Sequence, residues 1–214
     1  QEDALPHAQH SALAHDLAHV VDAMTRMYEL TANHAWLTVA TETAHHLVDQ
    51  YWDPEHGGLF TVASSSEQLI VRQKDLMDNA TPSANSVAAY AFLRLAAITG
   101  DTKLESHAHQ ILALLARVAP SAATGYCNAT STSLFAQEGA VEIVIPGDNP
   151  ELLATVWSQW LPNAVTVWGE PVDSPLWAGR EPGMAYVCRN HECLLPARTE
   201  QELRDRIATS FSGE

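Results

Sequence analysis

Positive charge is scarce in this sequence. Lysine and arginine together number 11 against 26 aspartates and glutamates, which gives a formal net charge of −15 over 214 residues. The phosphates of nucleic acids repel such a surface, so the composition argues against a nucleic-acid partner. The excess of negative charge does not by itself identify a cationic ligand, because it commonly serves solubility.

Long apolar runs are missing as well. No stretch approaches the ~18 consecutive apolar residues of a membrane-spanning helix, so we expect no contact with a membrane. The polar, acidic N-terminus has neither the basic nor the apolar part of a leader, and we therefore expect no signal peptide. Because the sequence begins without methionine, we expect it to be processed or cut from a longer chain.

Cysteine is sparse, and the common catalytic signatures are absent. Three cysteines are an odd number and too few for the disulfide scaffold of a small secreted domain, so a reducing cytoplasm is the default location. The sequence contains no P-loop, no dinucleotide-binding glycine pattern, no nucleophile elbow and no HExxH motif. We accordingly expect no cofactor and no metal.

Apolar residues recur at helical spacing through the first half of the chain. Hydrophobic residues make up 46% of the sequence, enough for a core. Helices are predicted over residues 10–31 and from a cap at Asn33 to about Trp52. Two more are predicted over residues 82–99 and 102–117.

The predicted helix pairs are related by an internal repeat. An offset of 67 residues aligns Val20 with Val87 and Leu47 with Leu114. Repeated helical hairpins that bury their faces against one another indicate an α/α array. The segment 121–135 is predicted to begin a third unit.

Two segments have β character. After the turn DPEHGG, the runs LFTVA and LIVRQ predict a β-hairpin inserted at about residues 57–74. Beyond residue 140, VEIVIPG, a helical stretch over 150–160 and AVTVW form a β-α-β pattern, followed by AYVC, CLLP and a helix that Thr199 can cap. The pattern predicts a mainly α domain over 1–139 and a small α/β lobe over 140–214.

Four motifs point to one family. YWDPEHGGLFTV, DNATPSANSVAA, EIVIPGD and AYVCRNHECLLPA occur in an order that resembles the C-terminal portion of the thioredoxin-domain-containing family that includes spermatogenesis-associated protein 20. The resemblance covers essentially the whole chain. It implies an upstream thioredoxin-like domain and an (α/α)6 toroid similar to N-acylglucosamine 2-epimerases and six-hairpin glycosidases. This chain would be an incomplete toroid of about two and a half hairpins with a small C-terminal α/β lobe.

The resemblance also implies partners. The missing N-terminal part of the same protein, with its thioredoxin-like domain and remaining hairpins, would complete the ring. An open edge of the ring predicts exposed apolar helix faces and a homo-oligomer. A carbohydrate ligand is implied for the centre of the finished toroid, and we expect the isolated fragment to be inactive, because half a cavity cannot surround a transition state.

The polar cluster before the third predicted helix has two interpretations. Thr81 followed by Pro82 fits an N-cap and a first helical position, and this structural interpretation explains most of the polarity. In an α/α toroid, however, the N-termini of inner helices line the central cavity, where the same side chains would contact a sugar. The residues assigned on that basis are Asp78 as a catalytic group and Asn79, Ser83 and Asn85 as substrate-binding groups.

Histidines on the first helix form a second candidate site. His15 and His19 share a helix face, with Asp16 beside them. In epimerase-like families inner-helix histidines act as acid/base groups, so the resemblance implies catalytic roles for His15, Asp16 and His19. Hydrolysis would instead need two facing carboxylates, for which Asp16 and Asp78 are available. An ordinary polar helix face is the alternative.

Cys188 and Cys193 bracket a four-residue loop, so we expect the two to sit across a hairpin. They are either buried reduced thiols or a redox pair that exchanges with the missing thioredoxin-like domain; with His191 they fall short of a four-ligand zinc site.

Two functions thus remain open. One is a sugar-processing enzyme, epimerase- or glycosidase-like, when full length. The other is a non-catalytic scaffold that partners a thioredoxin-like domain in redox or protein-folding work.

Overall fold

The computed structural model describes residues 11–66, 70–189 and 192–212. The helices are α1 (Ala14–Thr31), α2 (His34–Tyr51), α3 (Ala84–Thr99), α4 (Thr102–Val118), α5 (Cys127–Glu138), α6 (Pro150–Trp157) and α7 (Glu200–Ser212). The strands are β1 (Val141–Pro146), β2 (Ala164–Gly169), β3 (Tyr186–Arg189) and β4 (Glu192–Cys193). The described chain is therefore mainly helical with one small sheet. None of its helices has the length and apolar character to cross a membrane.

The two predicted hairpins are present and turn in the same way. In the first, Ala32 takes a left-handed backbone with φ of 53°, and the Asn33 side chain accepts a hydrogen bond from the next helix. In the second, Gly100 has φ of 76° and the Asp101 carboxylate accepts two such bonds. Each turn thus ends one helix and caps the next. Ala32 corresponds to Gly100 and Asn33 to Asp101, so the two turns are separated by one residue more than the offset of 67 that aligns the helices.

Helix α3 is the centre of the helical layer. It packs on α1, α4 and α5, whereas α2 packs mainly on α1. Almost every residue of α3 is buried, which explains why its sequence is nearly uncharged. Side-by-side hairpins of this kind form an α/α array. Closure into a ring stays a prediction.

The β-hairpin predicted at about residues 57–74 is wrong for the described residues of that segment. They contain no strand and fold as a loop across the helix ends. Thr61 N–H donates to the Gln73 carbonyl, but the Arg72 guanidinium satisfies the Val62 carbonyl and lies 4.1 Å from the Phe60 ring centroid. Side chains thus take the place of a ladder of backbone bonds. The helix predicted over residues 121–135 also begins later than predicted. It is α5, which starts at Cys127 after two short 3₁₀ turns (Ala119–Ser121 and Ala123–Tyr126).

The sheet has the order β2-β1-β3-β4 and packs between two layers of helix. β1 and β2 are parallel and joined by α6, as the β-α-β pattern predicted, and β3 and β4 continue antiparallel. Val144 and Val167 on one face join the core of α1 and α3, while Ile143 and Ile145 on the other face pack against α6 and α7. The helical array and the α/β part therefore share a core. Of the strand predicted at CLLP, only Cys193 lies in a strand, β4.

A buried ion pair joins the helices to the sheet. The Arg94 side chain on α3 and the Glu29 side chain on α1 are only 1% and 9% exposed, and Arg94 Nη2 lies 2.7 and 2.6 Å from the two Glu29 carboxylate oxygens. Arg94 also donates to the Ala164 carbonyl, and Glu29 accepts from Thr166 N–H, both on β2. Burial alone would lower the pKa of Arg94, but the Glu29 carboxylate outweighs it and raises that pKa, so the guanidinium stays charged.

Replacing Arg94 with methionine should destabilise the chain by about 3–5 kcal/mol, because Glu29 would remain buried without its counter-ion. Equilibrium unfolding in urea measures the loss. Arg26→Met is the matched control: Arg26 approaches Glu29 only to 3.9 Å and its side chain is 42% exposed, so its loss should cost under about 1 kcal/mol. The double variant Glu29→Leu/Arg94→Met should recover part of the stability. Equal losses for Arg26→Met and Arg94→Met would contradict this assignment.

Candidate functional site

Asp78 holds the beginnings of two helices. Its Oδ1 accepts hydrogen bonds from Ser83 N–H at 2.8 Å and from the Ser86 hydroxyl at 2.6 Å, at the start of α3. Its Oδ2 accepts from the backbone N–H groups of Asn128 and Ala129 at 2.9 and 3.2 Å, at the start of α5. A carboxylate in this place also meets the positive ends of two helix dipoles. Four hydrogen bonds occupy its oxygens, and this geometry favours the structural interpretation.

The N-cap of α3 is Ser83, and the prediction of Thr81 was wrong. The Ser83 hydroxyl accepts from Ser86 N–H at 3.1 Å, whereas Thr81 is exposed and its carbonyl accepts from Asn79 N–H. The reason is the Asp78 carboxylate. It binds Ser83 N–H and holds residues 79–82 outside the helix.

Asn85 ties the 57–74 loop to α3. The side chain is fully buried; its oxygen accepts from Leu59 N–H at 2.7 Å, and its amide donates to the carbonyls of Leu59 and Asp75. Gly58 permits this contact, because a Cβ there would lie 3.0 Å from the Asn85 oxygen at a φ of +80°.

The predicted substrate-binding residues therefore differ in accessibility. Ser83 and Asn85 are 1% and 0% exposed, with the hydrogen bonds described above, and they hold the chain together. Asn79 is exposed, and it alone of the three could contact a ligand without rearrangement of the chain. That contact stays a prediction.

Asp78→Ala should destabilise the chain by about 2–4 kcal/mol, since it removes the carboxylate from two helix starts and leaves the backbone N–H groups of Ser83, Asn128 and Ala129 without their acceptor. Urea unfolding measures this. The neighbouring Asn79→Ala, which removes an exposed side chain, serves as the control and should change stability by no more than about 0.5 kcal/mol. A stable Asp78→Ala variant would favour a functional role for the carboxylate instead.

The histidine pair lies at the start of α1. The His15 and His19 ring centroids are 4.5 Å apart in an edge-to-face arrangement, and the His15 Nε2 atom is buried with no hydrogen-bond partner among the described residues. Asp16 is exposed, and its carboxylate accepts from Leu13 N–H at 3.1 Å, which caps the helix. No contact joins these three residues to Asp78. The structure thus brings the two histidines together but does not join the predicted catalytic groups into one cluster.

Asp53 fixes the turn that follows α2. Its carboxylate lies 2.7 Å from Lys74 Nζ and accepts from the N–H groups of Glu55 and His56. Burial alone would raise the pKa of Asp53, but the Lys74 and backbone hydrogen bonds outweigh it and lower that pKa to about 2. The carboxylate therefore stays ionised, and DPEHGG is the structural turn that its composition predicted.

Cys188 and Cys193 form a disulfide across the β3–β4 pair, so the reduced thiols of the first interpretation are wrong here. Cys188 is 1% exposed and Cys193 is exposed. Arg180 Nη2 lies 3.2 Å from the Cys188 sulfur and 3.0 Å from the Cys193 sulfur. A guanidinium in this position stabilises any thiolate that forms when the bond opens.

Two groups near the sulfurs were not found from the sequence. Arg180 stands in an irregular loop with no periodic signal, and Glu142 faces Cys188 only because β1 and β3 pair in that register. His191, named with the cysteines as a metal ligand, lies outside the described residues. Among the residues that are described, no group of three or more histidine, cysteine or acidic side chains is arranged to hold a metal ion.

Comparison with known proteins finds relatives that align with most of this chain. It is 31% identical over 209 residues to spermatogenesis-associated protein 20 of Homo sapiens, 30% over 209 residues to that of Rattus norvegicus and 29% over 206 residues to that of Mus musculus. Each comparison covers 88% of this chain. The chain is homologous to part of spermatogenesis-associated protein 20.

The homology is limited in extent. The chain spans 26% of the length of these relatives, and no family model matches it. The resemblance to this protein is thereby confirmed. The thioredoxin-like domain and the toroid stay predictions.

Proposed function

We propose that this chain is a redox-active scaffold whose Cys188–Cys193 disulfide exchanges with the dithiol of a thioredoxin-like domain in a longer protein. The observation that supports it is the contact of Arg180 with both sulfurs. A purely structural disulfide needs no cation beside it. An exchangeable one benefits, because thiol–disulfide exchange is faster when the departing sulfur is a stabilised thiolate.

The exchange is balanced without any other reactant. A thiolate of the dithiol attacks the exposed sulfur of Cys193, a new S–S bond forms and the bond to Cys188 breaks. Cys188 departs as a thiolate beside Arg180. The second thiol of the partner then displaces Cys193, so that the partner becomes a disulfide and both cysteines of this chain become thiols.

Arg180→Met should slow reduction of the disulfide by excess dithiothreitol about tenfold, because the departing Cys188 thiolate loses its counter-charge. The measurement is the time course of thiol alkylation followed by mass spectrometry. Arg180→Lys should restore part of the rate, and Arg204→Met, an exposed arginine on α7, should leave it unchanged.

The sign of the effect separates two roles of Arg180. Its Nε also donates to the Leu176 carbonyl, so a merely structural arginine would loosen the loop when removed and expose the sulfurs. Reduction would then become faster. A rate for Arg180→Met equal to or above that of the unsubstituted chain would contradict the proposal.

A second candidate is sugar processing by a completed toroid that includes this chain. The observation that favours it is His15, whose buried Nε2 beside His19 has no hydrogen-bond partner among the described residues and could serve as an acid/base group. The carbohydrate would contact both this chain and the parts of the ring outside it.

Epimerisation at C2 of an N-acylated hexosamine exchanges the C2 proton with solvent, so deuterium incorporation tests this candidate. In a longer protein that carries this chain, we expect incorporation from D2O and a loss of at least about 100-fold in His15→Gln. His46→Gln on α2 is the control and should keep the rate. No incorporation in the unsubstituted protein, or full incorporation in His15→Gln, would rule out this chemistry for His15.

A further inference from the structure

A cavity of about 150 Å³ opens directly beside the disulfide, and Cys193 itself forms part of its wall. The remaining wall comes from the end of α3, from the loop before β3 and from β1. We propose that this cavity, which we call the sulfur cavity, receives an apolar side chain next to the attacking cysteine of the redox partner, and that the partner segment carries positive charge. The inference rests on the proposed redox function and adds the chemistry of the partner.

The lining of the sulfur cavity selects an apolar side chain. Ala96, Ala97 and Gly100 line it from α3, and Pro175 and Leu176 face them from the loop, while the polar part of the wall comes from Glu142, Arg180 and Cys193. Small residues on one wall leave room for a side chain of the size of leucine, and contact with apolar carbons on both walls makes its burial favourable. A cysteine that follows such a residue in an extended peptide comes to the Cys193 sulfur as the side chain enters.

Negative charge continues from the cavity along the surface. A second cavity of about 300 Å³ shares Ala97 and Pro175 with the first, so the two form one groove. The two cavities share the carboxylate residue Glu142, and the second adds Asp101, Glu105 and His109. Asp101 is already paired with His45 at 2.8 Å, whereas Glu105 is exposed. A segment with lysine or arginine near its cysteine complements this groove.

The geometry also fixes which sulfur is attacked. Cys193 is exposed and forms part of the cavity wall, while Cys188 is 1% exposed. The incoming thiolate therefore bonds to Cys193, and Cys188 leaves as the thiolate. With a peptide that carries a single thiol, the reaction stops at a mixed disulfide on Cys193 and a free thiol on Cys188.

The test uses the oxidised 214-residue chain and acetylated, amidated peptides of the forms Lys-Leu-Cys-Gly, Lys-Gly-Cys-Gly, Glu-Leu-Cys-Gly and Glu-Gly-Cys-Gly. The rate of mixed-disulfide formation is followed by mass spectrometry after acid quenching. Each rate is divided by the rate of the same peptide with hydroxyethyl disulfide, which removes differences in thiol reactivity. We expect Lys-Leu-Cys-Gly to exceed Glu-Gly-Cys-Gly about tenfold, with attachment at Cys193.

Two variants separate the apolar and the charged contributions. Ala97→Leu fills the sulfur cavity and should abolish the advantage of the leucine peptides. Glu105→Gln should reduce only the advantage of the lysine peptides. Glu151→Gln, an exposed glutamate on α6, is the matched control and should alter neither.

The outcomes distinguish the two proposals. If neither the peptides nor dithiothreitol opens the disulfide in the folded chain, the proposed redox function is wrong and this inference with it. If dithiothreitol reduces the disulfide as expected but the peptides react at equal normalised rates, or attach to Cys188, only the inference is overturned. An Ala97→Leu chain that keeps the leucine preference would overturn it as well.

Discussion

One buried guanidinium connects the three layers of this structure. Arg94 donates to Glu29 on α1 and to the Ala164 carbonyl on β2 from the middle of α3, a helix that is otherwise almost wholly apolar. Burial of a charge is tolerated only with a counter-ion and filled hydrogen bonds, so the pair fixes how α1, α3 and the sheet must meet. The position of the α/β part against the helical array follows from the same pair, because the sheet cannot shift without breaking the pair's hydrogen bonds to the Ala164 carbonyl and the Thr166 N–H.

Asp78 performs the corresponding task at the start of α3. Its two oxygens accept from the starts of α3 and α5, and Asn85, in the first turn of α3, binds the loop that crosses the helix ends. A short polar cluster in front of an apolar helix is thus explained by four orphan N–H groups and a loop that need partners. Sugar binding would require these atoms to leave their partners, so a ligand site is better sought at a polar atom that has no partner among the described residues, as at His15.

Helix periodicity and the β-α-β pattern were sufficient to predict the hairpins, the parallel pair β1–β2 and the terminal helix, because each is a local signal repeated over several residues. Contacts between distant residues were not predictable. The loop at 57–74 alternates like a strand, yet Arg72 and Asn85 take up its carbonyls and N–H groups. The cap of α3 moved to Ser83 because of Asp78, five residues away. The spacing of the cysteines allowed a disulfide, but no pattern in the neighbouring sequence predicted that Arg180 lies beside the two sulfurs.

The disulfide is mechanically close to the central helix. Ser174 donates to the Ile98 carbonyl in the last turn of α3, Pro175 packs against Gly100, where a Cβ would approach it to 2.8 Å, and Arg180 returns from the same loop to the sulfurs. When the bond opens, Arg180 gains a thiolate as its partner, and its hold on the Leu176 carbonyl must adjust. On the proposed redox function, a change of redox state would reach the end of α3 over these few hydrogen bonds. A scaffold that reports the state of its dithiol partner needs such a connection, and a disulfide that only staples two strands does not.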